Sequence, residues 1–401
     1  MDNFIADNYS DIYLPYTEQN LPDAMTGEAR QLFLDYQNNV LISNGAKIES
    51  GLYSHMNLEG SAADLFYRKR LLGRGGFGEV YHVIGKASLK HFAWKIISRR
   101  HFDMKKERLL PQTFQNELTA LQSLRHRHVV RLVGSYSDAD HVGLLMQPVA
   151  DQDLWKLLSE PKGKQEHRER CLCLRGFFGC LATAVDYFHN NTTKKVQHRD
   201  IKPQNILVKG TKIYITDFGT ARLRDVDSGD VTEPTASTMV AISWRYVAPE
   251  VAHGGTRTYA SDIWALGCVF IEMLTILAGK SLSDLSTFMQ QRQSKPEKDQ
   301  GRFKFFGNYE SIVLWLEILG ESIRKGENSQ DIQMIEVIMA MLCMERRSRI
   351  TAPHLVRRIF QLEGLYHGHC CRGTATPSGI GKCVPLRQDS WRSERLHPPR
   401  G

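Results

Sequence analysis

Two patterns of hydrophobic and polar positions divide the chain near residue 150. From about residue 67 to that point, short apolar or alternating runs broken by glycine and polar turns predict β-strands: FYRKRLLG, EVYHVIG, HFAWKIIS, VVRLVGSY and HVGLLMQ. One stretch among them, QTFQNELTALQSL, has helical spacing. Beyond residue 150, apolar residues recur three and four positions apart, as in LCLRGFFGCLATAVDYFHN, which predicts helices with one buried face. The sequence therefore predicts an α+β fold in which a β-rich part precedes an α-rich part.

The two ends of the chain have weaker patterns. Residues 1 to 66 show little periodicity, so we expect a partly disordered extension with one helix across TGEARQLFLDYQNNVLI. Residues 362 to 401 are rich in Gly, Pro and Arg, which predicts a disordered basic tail. The longest apolar run, residues 263 to 279, contains Glu272 and is short for a membrane span, so we expect a buried helix there and no membrane span.

Composition is that of an ordinary soluble globular protein, with 42% hydrophobic and 24% charged residues in a chain of 401. The eight cysteines are scattered, so we expect free thiols in a reducing compartment and an intracellular location, cytoplasmic or nuclear. The N-terminus has no apolar run typical of a secretory signal.

Charge is unevenly distributed along the chain. Residues 1 to 66 hold two Lys or Arg and ten Asp or Glu; because the whole chain carries +8, the remainder carries +16. Neither aromatic–basic interleaving nor zinc-finger spacing is present, so no nucleic-acid partner is expected. The basic remainder is either a plain solvated surface or, as we favour, one that attracts phosphates or acidic partners.

The segment LGRGGFGEV places Gly73, Gly75 and Gly78 in GxGxxG spacing. Glycines let the backbone approach phosphate oxygens and offer N–H groups with no Cβ in the way. A dinucleotide-binding loop would need a helix directly afterwards, whereas a strand-like run follows here. The pattern therefore predicts a β-hairpin that covers a nucleotide.

Two charged residues of the β-rich part are candidates for a phosphate site. Lys95 is flanked by apolar residues. It could be an edge-strand lysine that reaches solvent, or it could place its ammonium group over the α- and β-phosphates of a nucleotide. Glu117 lies on the predicted helix that follows. A lysine–glutamate pair across strand and helix would orient the ammonium group.

The segment QHRDIKPQNIL, residues 197 to 207, gathers polar residues between apolar anchors. Asp200 would accept or orient the proton of an attacking hydroxyl, and Lys202 would neutralise charge on the transferring phosphoryl group. Asn205 would hold a metal ion through its amide oxygen, and Asp217 of the following TDFGTAR would chelate Mg²⁺. Metal, positive charge and alignment are what phosphoryl transfer requires.

Together these motifs resemble those of the eukaryotic protein kinase family, serine/threonine type. They stand in the order of that family: GRGGFG, AWK, Glu117, HRDIKPQN, DFG, APE at 248–250, SDIWALG at 261–267 and RIT at 349–351. The resemblance implies a bilobal kinase domain over residues 67–361. It would have a β-rich N-lobe with one regulatory helix (67–146), a hinge (147–150) and an α-rich C-lobe (151–361).

The resemblance also implies ATP and Mg²⁺ as cofactors, with an assigned set of site residues. The ATP-binding residues would be Leu72, Gly73, Gly75, Gly76, Phe77, Gly78, Val80, Ala93, Lys95, Met146, Gln147, Val149, Asp153 and Leu207. The catalytic residues would be Asp200, Lys202, Lys95, Glu117 and Ser243, and the metal ligands Asn205 and Asp217. The family pattern further implies a stack of Leu121, Leu132, His198 and Phe218, an ion pair of Glu250 with Arg349, and a catalytic-loop backbone held by Asp262.

Substrate class follows from three positions of the motifs. Lys202, two residues after the catalytic Asp, is typical of serine/threonine kinases, and Ser243 stands where such kinases keep a hydroxyl that bridges Asp200 and Lys202. Thr220, a β-branched residue directly after DFG, favours threonine as the acceptor. We therefore expect protein substrates with Ser or Thr acceptors.

Regulation is expected in the segment between DFG and APE. Arg199 before the catalytic Asp is typical of kinases whose basic pocket receives a phosphorylated activation segment. The candidate phosphosites are Thr235, Ser237 and Thr238, and an upstream kinase is an expected partner; the alternative is that these are ordinary loop hydroxyls.

Two other classes of function share parts of this pattern. A pseudokinase scaffold usually loses a Lys, Asp or Gly of one motif, whereas this chain keeps Lys95, Asp200 and Asp217. A small-molecule phosphotransferase of kinase-like fold would lack Lys202 in this context and the APE segment. One departure from the family pattern is Trp94, which is bulky where Ile or Val is usual.

Overall fold

The computed structural model describes residues 27–28, 30–34, 44–51, 55–58, 60–75, 78–99, 112–190, 194–224, 243–292, 303–326 and 329–366. Its first part is built on a six-stranded sheet. In spatial order the strands are β1 (Met56–Asn57), β5 (Arg131–Ser137), β6 (His141–Gln147), β4 (His91–Ser98), β3 (Gly78–Gly85) and β2 (Phe66–Gly75). Neighbouring strands are antiparallel, except that β1 lies parallel to β5. Helix α1 (Asn44–Ser50) precedes β1, and α2 (Gln112–Ser123) follows β4.

Strand register decides which side chains share a face of this sheet. Val80 pairs with Lys95, and Ala93 pairs with Met146. Because directly opposed residues share a face and the side-chain period is two, all four lie on one face. The sheet thus collects predicted nucleotide-binding residues from three strands on a single face.

The opposite face of the sheet carries a second hydrophobic core. Trp94 is buried there between Phe66 and Tyr136, and its indole Nε1 donates to the Tyr136 hydroxyl at 2.9 Å. Ile48 of α1 and Leu58 after β1 close this core from outside. The bulky residue at position 94 therefore packs in a second core, to which residues upstream of β2 also contribute.

The second part of the fold is mainly helical. Its helices are α3 (Leu154–Ser159), α4 (Lys164–Asn190), α5 (Pro249–Ala252), α6 (Tyr259–Leu277), α7 (Leu282–Gln291), α8 (Tyr309–Arg324), α9 (Gln333–Met341) and α10 (Ala352–Phe360). The short strands are β7 (Gln152–Asp153), β8 (Lys195–Gln197), β9 (Ile206–Lys209), β10 (Lys212–Ile215) and β11 (Arg222–Arg224). They form the sheets β10–β9–β7 and β11–β8. The predicted α+β fold, β-rich before α-rich, is confirmed.

Helices α4 and α6 form the centre of the helical part. By length and composition alone either could cross a membrane, but 78% and 83% of their most apolar stretches are buried inside the fold. The run at 263–279 therefore lies in the core, as the buried helix expected from the sequence.

Packed structure continues beyond both domain boundaries predicted from the sequence, 67 and 361. Upstream, β1 belongs to the sheet and α1 packs on it. Downstream, Leu365 is fully buried and its carbonyl accepts from the backbone N–H of Gly179 on α4 at 3.2 Å. The helix expected at 26–42 is helical at residues 28 and 30–34; its remainder and residues 367–401 lie outside the described residues.

Candidate active site

Lys95 joins two acidic residues at the face of the sheet that meets the helical part. Its Nζ lies 2.6 Å from Glu117 Oε2 on α2 and 3.0 Å from Asp217 Oδ1. Burial alone would lower the pKa of Lys95, but the two carboxylates outweigh it and raise that pKa. The charge of Lys95 in turn lowers the pKa of Asp217. Burial raises the pKa of Glu117, and the charge of Lys95 opposes that rise. The Lys95 ammonium is thus held between carboxyl groups from two elements.

Asp217 is placed by an unusual backbone conformation. Its φ of 64° and ψ of 67° lie in the left-handed region, which residues with a Cβ adopt at a cost of about 1–3 kcal/mol. The turn Phe218–Thr220 follows directly, and the Thr220 hydroxyl donates to the His198 carbonyl at 3.0 Å. This turn brings the Asp217 carboxylate beside Lys95.

The catalytic-loop residues form one hydrogen-bonded group. Asp200 Oδ2 accepts from Lys202 Nζ at 2.6 Å and from Asn205 Nδ2 at 3.0 Å. Lys202 Nζ also donates to Ser243 Oγ at 2.8 Å. The hydroxyl expected to bridge Asp200 and Lys202 therefore bonds the lysine, which in turn bonds the aspartate.

Asp262 holds the backbone of the loop that carries Asp200. The two carboxylate oxygens of Asp262 accept from the backbone N–H groups of His198 at 2.9 Å and Arg199 at 2.8 Å, as the sequence predicted. His189 Nε2 lies 3.0 Å from the same carboxylate. Burial would raise the pKa of Asp262, but the His189 contact and the backbone bond of Arg199 lower it.

Arg257 is a site residue that motif reasoning missed. Its Nη1 donates to the Arg199 carbonyl at 3.2 Å, and Arg199 has a left-handed φ of 71°. A cavity of about 30 Å³ between them is also lined by Asp200 and Asp262. Arg257 belongs to no motif and to no periodic run, so nothing in the sequence singles it out.

The predicted supports of the site are present. His198 and Phe218 are fully buried with ring centroids 4.7 Å apart, and Leu121 and Leu132 are buried in the same core. Both terminal guanidinium nitrogens of Arg349 donate to the Glu250 carboxylate, at 2.8 and 3.0 Å. The ring contact ties the catalytic loop to the turn after Asp217, and the ion pair ties the APE segment to the helical part.

The glycine-rich segment forms the β-hairpin that was predicted, with Gly75 opposite Gly78. Gly78 has a φ of 140°, and a Cβ there would overlap the carbonyl of Ile96. Only glycine fits this position, because both the dihedral and the space exclude a side chain. Gly76 and Phe77 lie outside the described residues.

The remaining ATP-site candidates surround the space under this hairpin. Leu72, Val80 and Leu207 are partly buried against the main core, next to the buried residues Ala93 and Met146.

Asp153, directly before α3, and Gln147, at the end of β6, have side-chain bonds that the sequence did not predict. Asp153 caps α3 by accepting from the Lys156 N–H at 2.8 Å. The side chain of Gln147 accepts from Arg131 Nη2 at 2.6 Å. Val149 follows it in the same segment.

The donor set fits a magnesium ion held jointly with phosphates. Asn205 uses its amide nitrogen for Asp200, so its amide oxygen is the atom that could serve a cation, as could the carboxylate of Asp217. Mg²⁺ prefers such oxygen ligands and usually takes one or two carboxylates plus substrate phosphates. In the described part of the chain, no cluster of three or more His, Cys, Asp or Glu side chains could hold a metal alone.

The candidate phosphosites Thr235, Ser237 and Thr238 lie outside the described residues. The pocket expected to receive them contains Arg199, with Arg222, Arg224 and Arg257 close enough to act on its charge. Burial and these neighbours lower the pKa of Arg199 to about 10.

Residues 66–360 match the family model described as "Protein kinase domain". Serine/threonine-protein kinase PKH2 of Saccharomyces cerevisiae is 31% identical over 217 residues, which is 52% of this chain and 19% of that protein. Serine/threonine-protein kinase 33 of Bos taurus is 29% identical over 243 residues, 58% of this chain and 46% of that protein. Serine/threonine-protein kinase Nek5 of Mus musculus is 28% identical over 215 residues, 53% of this chain and 31% of that protein. The chain spans less than half of each of these three relatives.

Proposed function

The chain belongs to the protein kinase family, and on that premise we propose that it transfers the γ-phosphoryl group of ATP to serine and threonine hydroxyls of protein substrates. One observation carries the proposal: the Lys95 ammonium is held at 2.6 Å by Glu117 and at 3.0 Å by Asp217. A scaffold protein that only binds partners has no need to keep a buried lysine charged and fixed at this point.

Nucleotide binding follows from the face of the sheet under the glycine hairpin. Val80 and Ala93 would pack on the adenine ring from above and Leu207 from below. The Lys95 ammonium would contact the α- and β-phosphates, while the hairpin glycines leave room for the phosphates to approach. The adenine edge would bond backbone atoms of Gln147 and Val149, and the ribose would bond Asp153.

Mg²⁺, when bound, would neutralise charge on the β- and γ-phosphates. Asp217 and Asn205 would supply oxygen ligands for it. Because Asn205 also bonds Asp200 at 3.0 Å, the metal side and the acceptor side of the site are joined by one amide group.

Phosphoryl transfer then depends on how this chain orients the acceptor. Asp200 would accept a hydrogen bond from the substrate hydroxyl and take its proton. Lys202, 2.6 Å from that carboxylate, would place positive charge beside the transferring group. Ser243 holds Lys202 by a bond of 2.8 Å and so fixes where this charge lies.

The choice of acceptor is the finer part of the proposal. Lys202 and Ser243 support Ser/Thr substrates, and the relatives PKH2 and Nek5 bear the name serine/threonine-protein kinase. Thr220 supports a preference for threonine, because it is a β-branched residue directly after the DFG motif. Its side chain is fixed by its bond to His198.

Regulation and location complete the proposal. Phosphorylation at Thr235, Ser237 or Thr238 by an upstream kinase would supply an anion for the pocket of Arg199. An intracellular location, cytoplasmic or nuclear, is supported by cysteines with free thiols. Those in the described residues are Cys171, Cys173, Cys180, Cys268 and Cys343.

The decisive experiment is a transfer assay with Mg–ATP and a peptide library. We expect Asp217→Ala to abolish transfer to Ser and Thr peptides. The matched control is Asp140→Ala, at an exposed aspartate in the turn between β5 and β6. Transfer that survives Asp217→Ala would overturn the proposed mechanism.

A further inference from the structure

Residues 44–51, 55–58 and 60–62, which we call the N-terminal segment, lie on the edge and outer face of the sheet. Met56 pairs with Tyr136 and Asn57 with Ser137, so β1 extends the sheet beyond β5. On α1, the Glu49 side chain accepts from the backbone N–H of Ser88 at 2.9 Å. Ser88 lies in the turn between β3 and β4. The segment therefore spans the sheet from one edge towards the other.

Two glycines of the sheet leave space for this segment. A Cβ at Gly134 of β5 would overlap the carbonyl of Ile48, and a Cβ at Gly85 of β3 would overlap the carboxylate of Glu49. Neither glycine has a positive φ, so space and not backbone conformation explains them. The sheet is thus shaped to receive α1.

His55 carries the contact from this segment to helix α2. Its Nδ1 lies 3.0 Å from Ser135 Oγ and its Nε2 lies 2.7 Å from Ser137 Oγ, both on β5. The ring meets Phe114 of α2 edge-on, with centroids 6.2 Å apart. Burial lowers the pKa of His55, so the ring is neutral and can donate from one nitrogen and accept at the other.

Phe114 is fully buried and lies one helical turn before Glu117 on α2. A displacement of Phe114 would therefore move the carboxylate that holds Lys95. Because misplacing a catalytic group by 1 Å can cost about 100-fold in rate, small shifts of α2 have large effects.

We propose that residues 44–51, 55–58 and 60–62 form a positioning segment for Glu117. They would act by packing on β5 and by holding Phe114 of α2 through His55. The inference rests on the proposed function, since it concerns the lysine–glutamate pair of that reaction. The segment would keep α2 in the position where Glu117 reaches Lys95, so this chain would itself stabilise the helix in that position.

The test uses the full chain with two different disturbances of the segment. His55→Ala removes the contact with Phe114 directly, while Gly134→Ala pushes α1 away from β5 and so shifts the segment that carries an unchanged His55. The control is His354→Ala, at a histidine on α10 that bonds Thr351 and lies outside the segment and the sheet. For each variant we would measure kcat at saturating Mg–ATP, hydrogen exchange of residues 112–123, and the urea midpoint.

We expect both segment variants to lower kcat about tenfold and to speed hydrogen exchange of α2, with the control unchanged. The proposal would be overturned if α2 exchanged at the wild-type rate in both variants, or if only the urea midpoint fell. If the wild-type chain transferred no phosphate, the proposed function would fail, while the exchange of α2 would still decide whether the segment braces it.

Discussion

Arg199 and Asp217 stand out at the level of single residues, because both adopt left-handed backbone conformations beside the site. Each is held in this conformation by hydrogen bonds to other residues of the site. Arg199 bonds Asp262 through its N–H and Arg257 through its carbonyl, and Asp217 bonds Lys95. Strain of about 1–3 kcal/mol at such residues persists only where the surroundings fix it. These bonds therefore help to fix the orientation of the catalytic loop and of Asp217.

Arg257→Gln tests this view of the catalytic loop. We expect kcat to fall about tenfold, since a charged hydrogen bond contributes about 1.5–3 kcal/mol, while KM for ATP stays unchanged. The matched control is Arg170→Gln, at an arginine that donates to the carbonyls of Leu157 and Glu160 away from the site. Equal losses of kcat in both variants would show that Arg257 acts only on stability.

Thr220 gives a prediction about the acceptor. In assays with peptides that differ only in Ser or Thr at the acceptor position, we expect the wild-type chain to have the higher kcat/KM on Thr. Replacing Thr220 by Phe should shift the ratio towards Ser, because a β-branched residue at this position is what favours Thr. A clear preference of the wild-type chain for Ser peptides would contradict the prediction.

At the level of elements, sequence patterns predicted those with long and regular periodicity. The strands β2 to β6, helix α2 and the core helices α4 and α6 have enough apolar positions to fix both type and buried face. The catalytic motifs were equally visible, because their residue types and spacing are set by chemistry.

The N-terminal elements were not predictable in the same way. Ile48 lies on α1, Leu58 directly after β1 and Ala62 in the stretch before β2, so no local period marks them as core. The pairing of β1 depends on β5, which is remote in the sequence. Trp94 was the one residue that could have indicated this packing, because a bulky apolar side chain on the outer face of a sheet is stable only if other residues bury it.

The C-terminal boundary can be tested with Leu365. Because this side chain is fully buried against the main core, Leu365→Ala should lower the free energy of unfolding by about 2–5 kcal/mol in urea. The control is Leu172→Ala, at a leucine of α4 that is 62% exposed and should change stability by less than about 0.5 kcal/mol. Similar urea midpoints for the two variants would place Leu365 outside the folded domain.

For the whole molecule, the distribution of charge bears on control of activity. The chain beyond residue 66 carries +16, and the pocket of Arg199 concentrates several guanidinium groups next to the catalytic loop. An anion bound there would offset their mutual repulsion and so stabilise the loop.

Activation by phosphorylation is the prediction that belongs to this scale. We expect a variant in which Thr235, Ser237 and Thr238, with Thr232 of the same segment, are replaced by alanine to keep low transfer activity after treatment with an upstream kinase. The wild-type chain should gain activity from the same treatment. Phosphate incorporation measured by mass spectrometry should track the rate. Full activity of the alanine variant would contradict control through this segment.

The parallel pairing of β1 with β5 has a consequence for how the protein is made. His55 and its partner Ser135 are 80 residues apart, so at about 5–20 residues per second the ribosome needs about 4–16 s to deliver the partner strand. Throughout that time the first strand of the sheet must stay unpaired. The outer core around Trp94 therefore closes late in synthesis, and an N-terminal fusion that folds before β5 emerges would compete with it.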